Sequence, residues 1–243
     1  MIEREVAVTT GHGVMPSFAV HPDGPGPWPG IILYMDAPGI REELRNMARR
    51  IARAGYVCVL PDMYYRLGLI RFDVPRRNDA MSAVIRAAMN HLTNALVMDD
   101  TAALIAWLDA QDKAKPGPVG CVGYCMSGRY VTTAAARFPH RIAAAASLYG
   151  VGIVTDEEDS PHLLLDRVRG ELYYAFAEHD RSVPDHVIPA LRAALAKTEV
   201  KHAIDIYPGT QHGFAFPERA VYDTLAAEDS WAKIFAMWDR CLR

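Results

Sequence analysis

No stretch of this sequence is apolar for long enough to cross a membrane, and none near its start joins a basic head, an apolar run and a small-residue cleavage site. An excess of charge is also missing: 26 lysines and arginines stand against 29 aspartates and glutamates, a formal net charge of -3. That balance exerts no pull toward nucleic acid or an anionic membrane surface. The expected partner is therefore a small molecule, with no nucleic acid and no membrane, and the expected location is cytoplasmic. Cysteine is sparse, and Cys58, Cys121, Cys125 and Cys241 show neither metal-type pairing nor the density of a disulfide scaffold. No repeat, low-complexity tract or linker divides the chain, so 1–243 reads as one domain, long enough to bury a substantial core.

What is present is an alternation of strand-like and helix-like segments. Ile2 to Thr9 alternates like a half-buried strand, Gly11-His12-Gly13 turns the chain, and Met15 to Val20 returns it, which predicts an N-terminal β-hairpin. Ile31 to Met35 and Tyr56 to Leu60 are continuous apolar runs, as in strands covered on both faces. Helical spacing fills Arg41 to Ala54, Asp79 to Leu92 and Ala95 to Ala110, and the irregular, aromatic stretch from Asp62 to Arg77 is a candidate pocket wall. Val119 to Tyr124 is the next strand, followed by a helix over Met126 to Phe138 and a strand over Ala143 to Tyr149. Leu172 to Ala177 is a strand, Pro184 to Lys197 a helix, Ala203 to Tyr207 the last strand, and Arg219 to Leu242 a closing helix. Crossover-length spacing of this kind predicts an α/β fold with a mostly parallel central sheet and helices on both faces.

The most informative stretch is Gly123-Tyr124-Cys125-Met126-Ser127-Gly128, where a strand runs through small residues into a helix. A nucleophile elbow is written G-x-S-x-G because its turn is too tight for side chains on either side of the nucleophile. Here Cys125 holds the nucleophile's place, and Ser127 stands where a glycine is usual, with Gly128 next. Taken alone, such a stretch fits a small core cysteine before a glycine turn equally well. The chain order decides. Cys125, Asp180 and His212 each follow a predicted strand, in the nucleophile, acid, histidine order of α/β-hydrolases. Histidine would take or hold the thiol proton, the carboxylate would fix its tautomer, and the helix behind Cys125 would favour thiolate. The backbone N–H groups of Met126 and Ala37 are candidates for the oxyanion hole. Asp36 is placed either to tune the thiol's proton or to cap the following helix.

These residues resemble those of the dienelactone hydrolases, whose elbow is commonly G-Y-C-x-G-G. The resemblance continues at Asp180-Arg181-Ser182-Val183-Pro184 and at His212-Gly213-Phe214, and covers nearly the whole chain. It implies the α/β-hydrolase fold and hydrolysis of a small ester or lactone through a thioester acyl-enzyme, with a Cys-His-Asp triad and no metal or organic cofactor. Two positions depart from the family pattern. Asp36 stands where glutamate is typical, and Phe216 matches an arginine that binds a substrate carboxylate. Tyr64, Tyr65, Arg86, Phe214 and Phe216, with Asp36, are the candidate pocket residues. A broader carboxylesterase or thioesterase acting on neutral substrates, and a non-catalytic relative that only binds a ligand, are the alternatives. Glu178 and Asp185 compete with Asp180 for the acid's role, and position along the strand favours Asp180. Three consecutive side chains at Glu178-His179-Asp180 splay apart, which argues against a metal site there.

Overall fold

The computed structural model describes residues 1–243 and divides into two compact units, Met1–Val119 and Gly120–Arg243. In the first, β1 (Ile2–Thr10) and β2 (Gly13–His21) form the expected antiparallel hairpin, paired from Ile2↔His21 to Thr10↔Gly13. Strand β3 (Gly30–Tyr34) runs parallel to β4 (Val57–Pro61), and β2 joins β4 antiparallel, giving the order β1-β2-β4-β3. Every residue of β3 and β4 is buried, which is why both are continuous apolar runs.

Helix α1 (Glu42–Arg53) opens with Glu42 and Glu43 and closes with Arg50 and Arg53, charges that complement the helix dipole at both ends. It stops at Gly55, whose φ of 92° carries the chain out of the helix. Helices α2 (Asp79–His91) and α3 (Asn94–Asp109) are capped by Asn78 and Thr93, whose side chains accept from the N–H groups of Met81 and Leu96. The irregular stretch before α2 is tied down by two nearly buried carboxylates. Asp100 takes both Nη atoms of Arg66 at 2.8 Å and the Tyr65 hydroxyl at 2.8 Å, while Asp62 pairs with Arg71 at 2.7 Å.

In the second unit, β5 (Val119–Tyr124), β6 (Ile142–Leu148), β7 (Glu171–His179) and β8 (His202–Gln211) lie in that order, with β6, β7 and β8 parallel. Helices α4 (Gly128–Arg137), α5 (Val187–Leu195) and α6 (Thr224–Leu242) connect and close them. Two boundaries differ from the sequence expectation by four residues or more. Strand β8 does not end at Tyr207 but runs through Pro208-Gly209 to Gln211, because it is an edge strand, where proline is tolerated, and Gly209 takes a φ of 72°. Helix α6 begins at Thr224 rather than Arg219: the Asp223 carboxylate accepts from Ala226 N–H at 2.9 Å and resets the chain, and residues 211–222 before it form successive turns.

Candidate active site

Strand β5 delivers Cys125 into a turn that few residues tolerate. Its φ is 53°, a left-handed conformation that costs a side-chain-bearing residue roughly 1–3 kcal/mol and that persists where surrounding structure over-determines it. The restraint is visible on both sides. The Cys125 carbonyl accepts from Gly128 N–H, closing one 3-10 turn, and from Val151 N–H at 3.0 Å. At Gly123 a Cβ would fall 2.7 Å from the Ser127 carbonyl oxygen, so only glycine fits. The second obligatory glycine is Gly128, where a Cβ would meet Gly150 Cα at 2.2 Å and Ser147 Oγ at 2.5 Å. The first turn of α4 and the loop after β6 therefore touch backbone to backbone. This explains why Ser127 can stand two residues after the cysteine: it is fully buried, and the crowded position is the next one.

Asp180 follows β7 and His212 follows β8, on neighbouring parallel strands. His212 Nδ1 lies 2.7 Å from Asp180 Oδ2, and the other carboxylate oxygen accepts from Ser182 N–H at 2.8 Å. Facing a carboxylate, Nδ1 is the protonated nitrogen, and the Cys125 side chain also favours the charged form of the ring. The Asp180 side chain is 3% exposed and that of His212 19%, so this contact is shielded from water. Burial works against a charge on His212, but the hydrogen bonds to Asp180 and Cys125 and the attraction of both outweigh it and push the imidazole up to about 9. The ring is further held by the edge of Tyr149, 5.0 Å between centroids, and Tyr149 in turn packs on Phe214 at 5.2 Å.

The remaining expected residues fall in several places. Met126 is buried within the elbow's 3-10 turn. Phe214 and Phe216 have no exposed surface: they pack with Tyr124 and Tyr149 behind the histidine, so they support the site from inside the core instead of lining a pocket. In the first unit, Ala37 lies in a turn closed by Gly39 N–H to the Asp36 carbonyl at 2.9 Å. Tyr64 is fully buried and donates its hydroxyl to the Ala37 carbonyl at 2.7 Å, which fixes the orientation of that turn. Tyr65 spends its hydroxyl on Asp100 and Thr10. Arg86 lies exposed on α2.

Asp36 does not cap α1, whose N-cap is Arg41 with no side-chain cap bond. Instead its fully buried carboxylate receives Arg41 through Nη1 at 2.5 Å and Nη2 at 3.2 Å, and the same guanidinium holds Glu43 at 2.6 Å. Sequence reasoning missed Arg41, although a cation five residues after a buried acid was the available clue. It also missed Gly150 and Arg219. The Arg219 guanidinium lies over the Phe216 ring at 4.5 Å and against the backbone of Gly213, beside His212. Of the two rival acids, Asp185 is exposed, and Glu178 turns its carboxylate to Gly209 N–H at 2.7 Å.

Comparison with known proteins gives the family. The model of the dienelactone hydrolase family matches residues 15–242. A protein of Synechocystis sp., provisionally named carboxymethylenebutenolidase, is 30% identical over 220 residues, covering 89% of this chain and 88% of its own. Among solved structures, a provisionally named dienelactone hydrolase from Klebsiella pneumoniae superposes with a TM-score of 0.88 at 24% identity over 98% of both chains. A dienelactone hydrolase-like promiscuous phosphotriesterase from metagenomic libraries superposes at 0.82 and 18% identity, covering 100% of this chain and 99% of its own. No helix of the structure is long and apolar enough to cross a membrane. With an α/β-hydrolase fold and a family match that runs from β2 to the last helix, the chain is a hydrolase belonging to the dienelactone hydrolase family.

Proposed function

We propose that residues 1–243 act as one domain that hydrolyses small esters or lactones in the cytoplasm through a covalent thioester on Cys125. In this reading the Cys125 thiolate attacks the substrate carbonyl, and the charge that develops on oxygen is met by the Met126 N–H in the turn that precedes α4. Collapse breaks the carbon–oxygen bond, and the departing alkoxide or enolate takes the proton held on His212 Nε2. Water then gives a proton back to His212 and attacks the thioester, releasing the acid and the thiolate. Asp180 keeps the ring in the tautomer both steps need and stabilises its charged form. The observation that carries the proposal is the conjunction of a left-handed Cys125, a histidine that Cys125 and Asp180 together hold toward its charged form, and a shielded carboxylate 2.7 Å from that histidine's Nδ1.

The name of the Synechocystis relative brings a butenolide lactone to this chain as the first substrate class to assay. A second reading, a carboxylesterase acting on neutral substrates, is favoured by Phe216, an apolar and fully buried residue at the position where the family resemblance led us to expect a carboxylate-binding arginine. Turnover of a carboxylate-bearing lactone and of a neutral phenyl ester by wild type and Cys125→Ala separates these. Both activities should vanish in the variant, and the ratio in wild type chooses the substrate. Full activity in a folded Cys125→Ala protein would reject the mechanism.

A further inference from the structure

Asp180 and His212 come from the ends of adjacent parallel strands, and the regular register of those strands does not bring them level. From Leu172↔His202 to Ala177↔Tyr207 the partners on β7 and β8 differ by 30 in residue number, a spacing that would set Asp180 beside Thr210. At His179↔Gln211 the difference has become 32, which is the difference between Asp180 and His212. Strand β8 thus carries two extra residues in a bulge at Pro208-Gly209-Thr210, and it is this slip that puts the histidine opposite its acid. Because the pleat repeats every two residues, a slip of two keeps the faces of β8 unchanged while advancing the chain by one repeat.

A bulge needs holding, since its residues leave the ladder. Gly209 supplies the φ of 72°, and a Cβ there would meet nothing within 4 Å, so glycine is required by conformation alone. The Thr210 hydroxyl closes the bulge on itself by donating to the Tyr207 carbonyl at 2.7 Å. At the bulge a side-chain contact spans the two strands: the Glu178 carboxylate, two residues before the acid, accepts Gly209 N–H at 2.7 Å. We infer that Glu178 is a positioning residue for the catalytic dyad, pinning the β8 bulge so that His212 lies in register with Asp180. The inference rests on the proposed roles of Asp180 and His212, and it gives Glu178 a task that its neighbour's role as acid would otherwise hide.

The test compares Glu178→Ala, Glu178→Gln and wild type by two independent readouts. The first is the proton NMR resonance of His212 Nδ1–H, which reports the bond to Asp180 without turnover. The second is kcat and KM for a neutral phenyl ester. Glu178→Ala should weaken or broaden the resonance and lower kcat about ten-fold with KM nearly unchanged, as a small misplacement of a catalytic group does. Glu178→Gln, whose amide oxygen can still accept Gly209 N–H, should keep both near wild type. Should Glu178→Ala fail to fold, Gly209→Ala strains the same bulge and is read in the same way. An unaltered resonance in Glu178→Ala overturns the inference whatever happens to turnover, as does a Glu178→Gln protein as impaired as Glu178→Ala, which would assign the effect to charge. Loss of the mechanism itself shows separately, as activity retained by Cys125→Ala.

Discussion

Replacing Asp180 with asparagine tests the electrostatic core of the site. Burial pulls His212 down, but Asp180 and Cys125 push it up to about 9, against about 6.5 for a free imidazole. A rise of that size corresponds to roughly 3 kcal/mol of preference for the charged ring, shared between Asp180 and Cys125. Asparagine at 180 removes one of the two groups that favour the charged ring, and turnover should fall at least about ten-fold. An amide facing Nδ1 also permits the wrong tautomer, which carries the loss toward about 10⁴-fold. The assay is kcat/KM for a neutral phenyl ester from pH 5 to 10. The same substitution has a signature in stability. A histidine whose folded value is raised stabilises the fold fully below its unfolded value near 6.5 and loses that contribution as pH rises through about 9. Wild type should therefore exceed Asp180→Asn in Tm most clearly near pH 6, and the gap should shrink above pH 9. A variant within two-fold of wild type in kcat/KM, with a gap in Tm that does not vary with pH, would refute the assignment.

Gly128→Ala should destabilise by about 3 kcal/mol or more in urea unfolding, because its Cβ would overlap Gly150 Cα. Arg41→Ala strips the shared cation from two carboxylates whose side chains are 0% and 4% exposed, Asp36 and Glu43, and should cost about 3–5 kcal/mol, whereas the exposed Arg86→Ala should stay within about 0.5 kcal/mol of wild type. Iodoacetamide should modify Cys125 in the native protein and spare Cys58 and Cys121, which have no exposed surface and whose thiols burial pushes far up; mass spectrometry of the digested protein reads the pattern.

Much of this site is legible in one dimension because its chemistry hangs on strand ends. Continuous apolar runs announce β3, β4 and β5, and a glycine two residues before a cysteine marks a turn with no room for a side chain, so Cys125, Asp180 and His212 can be placed in order without knowing their distances. What escapes is whatever depends on two distant segments touching. Gly150 matters because Gly128 lies against it, and nothing near position 150 says so. Pro208-Gly209 reads as the end of a strand by local preference, yet pairing with β7 carries β8 through it, and the register of the dyad depends on that continuation. Asp36 invites two local explanations, and a bidentate arginine supplies a third. Phe214 and Phe216 lie so near His212 in sequence that they suggest a pocket, while the turns after the histidine fold both inward.

The central claim is that Cys125 carries the acyl group. The most direct measurement is an acid quench of the protein within milliseconds of mixing with an activated phenyl ester, followed by digestion and mass spectrometry. An acyl adduct is expected on the Cys125 sulfur in the peptide that contains it, and none in Cys125→Ala. An adduct on Ser127, or steady turnover in Cys125→Ala with no adduct on either protein, would contradict the claim.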